Sequence, residues 1–170
     1  GSSLGASFFR ESLIALAVAF LFMGLVVFIY FRTFIPSIAV ILAAFSDMAV
    51  ALAVINLLDI KIGTAGVAAF LMLIGYSVDT DILLTVRVLK RKEGTVMDRI
   101  ISSIKTGMTM TVTAIISIIV ALAVTQSEVI RQIMLILLIG LIADIFNTWI
   151  QNVGLLRIYV EKKAKKGIMI

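Results

Sequence analysis

Long apolar segments separated by short polar ones dominate the pattern along this chain. Five apolar runs cover about residues 11–31, 36–58, 64–86, 106–125 and 132–158. A helix needs roughly 20 residues to cross a hydrocarbon core of about 30 Å, and a strand is much shorter than these runs. Backbone groups in lipid must bond within their own segment, which favours helices. The pattern predicts an all-α integral membrane protein, a single transmembrane domain built as a bundle of five transmembrane helices.

Composition supports a membrane protein and excludes several chemistries. Of the 170 residues, 62% are hydrophobic and 15% charged, and the mean hydropathy is +1.19. With no histidine and no cysteine, the chain has no imidazole base, disulfide or thiolate metal site. We therefore expect no cofactor and no metal. The net charge of +5 comes from basic residues at the ends of the apolar runs, so no nucleic-acid binding is predicted.

The distribution of basic residues predicts the orientation in the membrane. Residues 87–105, the chain from residue 157 onward and Arg32 hold twelve of the fifteen Lys and Arg residues. Only Arg10, Lys61 and Arg131 belong to the other side. Cytoplasmic segments carry the excess of Lys and Arg. We expect residues 87–105 and the C-terminus in the cytoplasm, the N-terminus outside, and a short interfacial helix over residues 96–104.

Four carboxylates interrupt the apolar runs and are the candidate functional groups. They are Asp47 in helix two, Asp79 and Asp81 in helix three, and Asp144 in helix five. An acid facing lipid at a helix centre costs about 2.5–3.5 kcal/mol on insertion scales, so these acids should face the interior, lie near an end or be protonated. No Lys or Arg lies beside them within a helix. The pattern favours a proton or sodium pathway, with neutral packing acids as the alternative.

Helix periodicity indicates which side chains accompany these acids. In helix five a polar stripe recurs at spacings of three and four, and helix four carries a stripe of hydroxyls that includes Thr109 and Thr113. The helix-five stripe consists of Gly140, Asp144, Asn147, Thr148 and Gln151. Ala39, Ala43, Asp47 and Ala51 form a small-residue stripe in helix two, where a neighbouring backbone can approach closely.

The two acids of helix three cannot serve one site. Residues two apart point about 200° away from each other on a helix. Asp79 shares its face with Tyr76, and Asp81 shares another with Ser77. We expect Asp79 to be the interior acid because it lies deeper in the helix.

One stretch of helix three resembles a known family. The sequence Gly75-Tyr76-Ser77-Val78-Asp79-Thr80-Asp81-Ile82 is similar to that of the SecD/SecF protein-export membrane proteins, which are related to the resistance-nodulation-division transporters. Further similarities to SecF are Ser3-Leu4-Gly5, Ser46-Asp47 and the segment from Met134 to Gly140. Together they extend over nearly the whole chain.

The resemblance implies a function and partners. The family implies an accessory subunit of the Sec translocase in the cell membrane, one that uses proton flow to assist a translocating polypeptide and works with a SecD-like subunit and the translocon. Its members have six helices and a large external domain after the first, so this chain would match helices two to six. The bacterial Asn-Asp pair reads Asp79-Thr80 here, and a family arginine falls at Met108, which suggests an archaeal type.

Two other functions remain as alternatives. A structural scaffold subunit without ion coupling would use the same helices to hold its partner. An intramembrane aspartyl protease is a remote alternative, because acids on different helices can share a proton and activate water. The Gly-x-Gly-Asp and Pro-Ala-Leu sequences of those proteases are missing: Gly140-Leu141-Ile142-Ala143 precedes Asp144 and no proline follows. We therefore expect a protein that is not an enzyme.

Overall fold

The computed structural model describes residues 2–91 and 93–165, with side chains from Gly5 onward. Lys92 and the last residues of the basic tail, which the sequence places on the cytoplasmic side, lie outside the described part. Within the described residues the regular secondary structure is all helical, and short non-helical turns connect the helices. The helices are α1 (Ser2–Phe31), α2 (Phe34–Leu57), α3 (Thr64–Lys90), α4 (Val96–Val124), α5 (Glu128–Phe146) and α6 (Val153–Lys165), with a π-helical segment (Asn147–Asn152) joining α5 to α6.

Five helical stretches are long and apolar enough to cross a membrane. They are α1, α2, α3, α4 and the continuous stretch Glu128–Lys165, which comprises α5, the π-helical segment and α6. The predicted fold class, an all-α membrane protein with five spanning helices, is confirmed. We call the end with residues 91–95 and the end of α6 the basic end, and the end with residues 58–63 the opposite end.

Helix α4 begins ten residues earlier than the apolar pattern indicates. Thr95 and Asp98 form a capping box, in which the Thr95 hydroxyl accepts from the Asp98 backbone N–H and the Asp98 carboxylate accepts from the Thr95 backbone N–H. Such a box satisfies two N–H groups at a helix start. The predicted separate interfacial helix over residues 96–104 is therefore wrong, because these residues form the first turns of α4.

Helix α5 is the centre of the bundle. It packs against α2, α3 and α4, while α1 lies on the outside against α2 and α3. Leu73, Ile136 and Leu141 are among the fully or almost fully buried side chains that fill the space between α3 and α5. A Cβ on Gly140 would come within 2.4 Å of both Leu73 methyl groups, so the small residue sets the α3–α5 distance.

The small-residue stripe of α2 also faces inward. Ala39, Ala43 and Ala51 are buried, and Asp47 lies in the same row. The close approach that this stripe allows brings α2 near enough to α3 and to the π-helical segment for Asp47 to accept hydrogen bonds from side chains of both.

Candidate functional site: a buried acid network

Three carboxylates from three helices meet inside the bundle. Asp47 of α2, Asp81 of α3 and Asp144 of α5 are each 0% exposed. The carboxyl groups of Asp144 and Asp47 lie within hydrogen-bond reach of each other, and the Thr148 hydroxyl contacts both Asp81 and Asp144. We call these three acids and their hydrogen-bond partners the acid network; the partners are Ser77, Thr80, Asn147, Thr148 and Asn152.

Asp47 is held from two sides. The Ser77 hydroxyl donates to its Oδ2 atom, and Asn147 Nδ2 donates to its Oδ1 atom at 2.7 Å. The two donors belong to α3 and to the π-helical segment, so this carboxylate links α2 to both of them. Ser77 and Asn147 were predicted as supporting residues, and both contact an acid of the network.

A single hydroxyl lies between the other two acids. Thr148 Oγ1 is 3.0 Å from Asp81 Oδ1 and 2.8 Å from Asp144 Oδ1. A hydroxyl has one hydrogen to donate and two lone pairs to accept. The Thr148 hydroxyl can therefore donate to one ionised carboxylate. It can accept a hydrogen bond from the other acid at the same time only if that acid carries a proton. This arrangement allows a proton to pass between Asp81 and Asp144 with a rotation of the hydroxyl.

Two partners of the network were missed by the sequence analysis. Thr80 Oγ1 lies 3.2 Å from Asp144 Oδ2, and Asn152 Nδ2 donates to Asp81 Oδ1 at 2.6 Å. Asn152 continues the spacing of four residues from Asp144 and Thr148, and that spacing is the signal that could have identified it. Thr80 precedes Asp81 in the sequence. Its contact with Asp144 depends on how α3 packs against α5, so the sequence alone gives no signal for it.

The face of α3 that packs inside the bundle is not the predicted one. Asp81 is fully buried and Asp79 is exposed, so the prediction that Asp79 is the interior acid is wrong. The physical reason is that the buried row of α3 that begins with Leu73, which packs on Gly140 of α5, continues at spacings of four to Ser77, Asp81 and Thr85. Asp79, two positions from Asp81, must then point away from the bundle.

The remaining predicted site residues lie away from the network. Tyr76 is 42% exposed, and the Thr109 and Thr113 hydroxyls donate to carbonyls of their own helix, those of Lys105 and Thr109. Gln151 is half-buried, and its Oε1 atom accepts from Ser46 at 3.4 Å. The structure therefore brings together Asp47, Asp81 and Asp144 but not Asp79.

No basic side chain balances the acid network within the described residues. The ion pairs found there are Glu128 with Arg131 and Arg157 with Glu161, both on the surface. Arg87, the nearest basic residue in the sequence of α3, donates instead to Ser102 and Thr106 at the basic end of α4. Ionised carboxylates without water cost several kcal/mol each in a protein interior. A proton or a small cation is the charge that this site can accept.

Comparison with known proteins identifies the family. Residues 1–162 match the family model described as protein export membrane protein SecD/SecF, C-terminal. The chain is 45% identical over 98% of its length to the protein-export membrane protein SecF of Methanocaldococcus jannaschii, and 50% identical over 88% to that of Methanothermobacter thermautotrophicus. The SecF of Pyrococcus furiosus is 44% identical over 98% of the chain. The chain spans 61%, 54% and 56% of the length of these relatives. It belongs to the SecD/SecF family of protein-export membrane proteins.

Proposed function

We propose that this chain is the membrane part of an accessory subunit of the Sec translocase, in which proton or cation movement through the acid network assists a translocating polypeptide. Family membership supports the role in protein export. The observation that supports ion coupling is the continuous series of contacts from Asp81 through Thr148 to Asp144 and on to Asp47. It links three helices through groups that can exchange a proton.

Ion occupancy would change how the helices hold one another. When an acid of the network gains a proton, it becomes a donor and its partners must reorient to accept from it. Asp47, Asp81 and Asp144 make their contacts across α2, α3 and α5, so each protonation state favours a different set of contacts between helices. A switch of this kind biases a packed element between two arrangements. It would transmit ion movement to the rest of the subunit.

Neutralising Asp81 tests the coupling. In the full-length subunit with its SecD-like partner, Asp81→Asn should reduce gradient-stimulated export to the level measured without an ion gradient, because the amide can neither release a proton nor hold a cation. The control is Asp59→Asn, an exposed acid whose φ of 53° an asparagine accepts easily. Full stimulation by the Asp81 variant would favour the scaffold alternative, provided that both variants assemble equally.

The exposed acid Asp79 supports a position for the SecD-like partner. A carboxylate facing lipid is costly, and polar side chains in a span mark helix contacts. Asp79 shares its face of α3 with Tyr76, and Tyr76 lines a groove of about 580 Å³ along α3 and α4. The polar residues that line this groove are Tyr76, Thr109, Thr113 and Ser117. We place the SecD-like subunit on this groove, and the translocon and the translocating polypeptide beyond the membrane part.

A photo-crosslinking residue can test this surface in the full-length complex. Placed at Thr113, it should crosslink to the SecD-like subunit in high yield, because the groove would be covered. The same residue at Phe22, which is 59% exposed on α1, is the control and should react mainly with lipid. A partner crosslink from Phe22 and none from Thr113 would place the partner on the other side of the bundle.

A further inference from the structure

An apolar groove of about 510 Å³ lies between α1 and α2, in the half of the bundle nearer the opposite end. Its walls are apolar side chains within residues 13–20 of α1 and 45–52 of α2, and Phe70 of α3 also lines it. Phe70 is buried in the core of the bundle and forms the floor of the groove. None of the lining residues belongs to the acid network or to the α3–α4 groove, so the proposed function does not account for this feature.

Two aromatic rings close the deep end of the groove. Phe20 and Phe45 meet edge to face, with their ring centroids 6.2 Å apart. Of the residues that line the groove on α1 and α2, these two lie nearest the basic end. Such aromatic pairs have a preferred geometry and resist displacement. The groove therefore has a fixed depth and ends near the middle of the membrane.

Polar side chains lie at the other, open end. Helix α1 begins and α2 ends at the opposite end of the bundle. Arg10 precedes Leu13 by three residues, so it continues the row of α1 that faces the groove. Asn56 follows Leu52 by four residues and continues the row of α2 in the same way. Both Arg10 and Asn56 are exposed, so a guanidinium and an amide flank the mouth of an apolar groove.

The length of the groove matches one leaflet of a bilayer. Phe20 follows Arg10 by ten residues, which is about 15 Å along an α-helix. The hydrocarbon core is about 30 Å thick, so each leaflet contributes about 15 Å. A helix with its side chains is about 10–12 Å wide and would not fit inside a groove of this volume, whereas a single hydrocarbon chain would.

The charge at the mouth suits an anionic headgroup. Arginine binds phosphate through two parallel hydrogen bonds, and an asparagine amide adds a neutral donor. Glu11, the neighbour of Arg10, lines a separate cavity between α1 and α3, so its carboxylate lies on the other side of the helix. The ion pairs found in the described part of the chain do not include Arg10.

We propose that the α1–α2 groove binds one hydrocarbon tail of an anionic phospholipid from the leaflet at the opposite end, with Arg10 and Asn56 at its phosphate. The inference is independent of ion coupling through the acid network. The bound tail would fill the space between the two helices where α1 is least attached, because the first buried side chain of α1 is Val27, close to the basic end.

A phosphatidylglycerol with a photoreactive group on one tail tests the site in liposomes that contain the full-length subunit and its SecD-like partner. In the wild type it should label residues of the groove, as mapped by peptide mass spectrometry. Ala17→Phe places a ring in the groove from an exposed position and should reduce this labelling at least about fivefold, since the ring occupies the space of the tail. Ala123→Phe, at an exposed position of α4, is the matched control and should leave the labelling unchanged.

Competition with unlabelled lipids tests the headgroup. Phosphatidylglycerol should compete for the groove at least about fivefold better than phosphatidylcholine with the same tails, because the guanidinium favours a net negative charge. Arg10→Gln should abolish this preference and needs no change in the apolar walls. Arg131→Gln, at another exposed arginine of the same end, should retain it.

Three results would overturn the proposal. Equal labelling in the Ala17→Phe and Ala123→Phe variants would mean that annular lipid only covers these helices. Equal competition by the two lipids in the wild type would exclude a site for an anionic headgroup. A preference that survives Arg10→Gln would exclude Arg10 as the phosphate ligand. Each of these results would leave the proposed role of the acid network untouched.

Discussion

At the scale of single residues, the unusual feature is a group of acids that carry hydrogen bonds but no fixed cation. Asp47, Asp81 and Asp144 accept from hydroxyl and amide groups, which are neutral donors. Neutral donors favour the ionised form of an acid less strongly than an arginine would, because they carry no charge. The network is therefore suited to changing its charge rather than to keeping it.

The Thr148 hydroxyl gives a direct test at this scale. Thr148→Val keeps the shape and removes the hydroxyl oxygen that bonds both Asp81 and Asp144, so transfer between them should stop and gradient-stimulated export should fall to the level without a gradient. Thr148→Ser retains the hydroxyl and should restore most of the stimulation. The loss should not come from unfolding, since a lost buried hydrogen bond costs only about 1–3 kcal/mol. Equal export by the valine and serine variants would contradict the transfer route.

The sequence predicted the inward-facing side chains of α2 and α5 but not that of α3. Asp47 and Asp144 lie in rows of small or polar residues, and such a row can only face another helix. In α3 both faces carry polar residues, Tyr76 with Asp79 and Ser77 with Asp81. Depth along the helix could not decide between them, because the face that packs on α5 is determined by the partner helix.

At the scale of elements, the π-helical segment Asn147–Asn152 could not be read from the sequence. A π-helical turn holds more residues than an α-helical turn, and no residue type specifies it. Here it lets Asn147 reach Asp47 while Thr148 and Asn152 reach Asp81. The start of α4, in contrast, could have been predicted from the sequence, because Thr95 and Asp98 have the spacing of a capping box. The apolar pattern alone placed this start ten residues too late.

Trp149 of the π-helical segment packs closely on Gly107 of α4, which predicts a specific loss of stability. A Cβ at Gly107 would lie 2.2 Å and 2.6 Å from two atoms of the indole ring. Gly107→Ala should therefore lower the free energy of unfolding by about 1–3 kcal/mol, since the rigid ring must move, despite a gain of about 1 kcal/mol in helix propensity. Thermal unfolding in detergent measures the change.

Gly154→Ala in α6 is the matched control for that substitution. No heavy atom lies within 4 Å of a Cβ placed there, so the helix propensity of alanine should leave stability unchanged or raise it by up to about 1 kcal/mol. If both alanine variants unfolded alike, the contact between Trp149 and Gly107 would not determine how α4 sits on the π-helical segment.

At the scale of the whole molecule, family membership and the five long apolar helices make this chain a multi-pass protein of the cell membrane. The acid network lies between α2, α3 and α5, and the exposed Asp79 shares its face of α3 with Tyr76, which lines the α3–α4 groove. The same helix α3 thus contributes to both surfaces. A partner bound at the α3–α4 groove would contact α3, so a movement of α3 that follows a change in the contacts of Asp81 would also change the contacts with that partner.

The orientation in the membrane is the prediction that belongs to the whole molecule. In the sequence, twelve of the fifteen Lys and Arg residues are Arg32 or lie in residues 87–105 or from residue 157 onward, and cytoplasmic segments carry such an excess. These 170 residues contain no cysteine, so no native thiol of this membrane part competes for the label. In the full-length protein in intact cells, an impermeant thiol reagent should modify Lys61→Cys, which is exposed at the opposite end, and should spare Glu93→Cys until the membrane is opened. Modification of Glu93→Cys alone would reverse the orientation and would place the apolar cluster of Leu84, Val88 and Leu156 between the acid network and the outside.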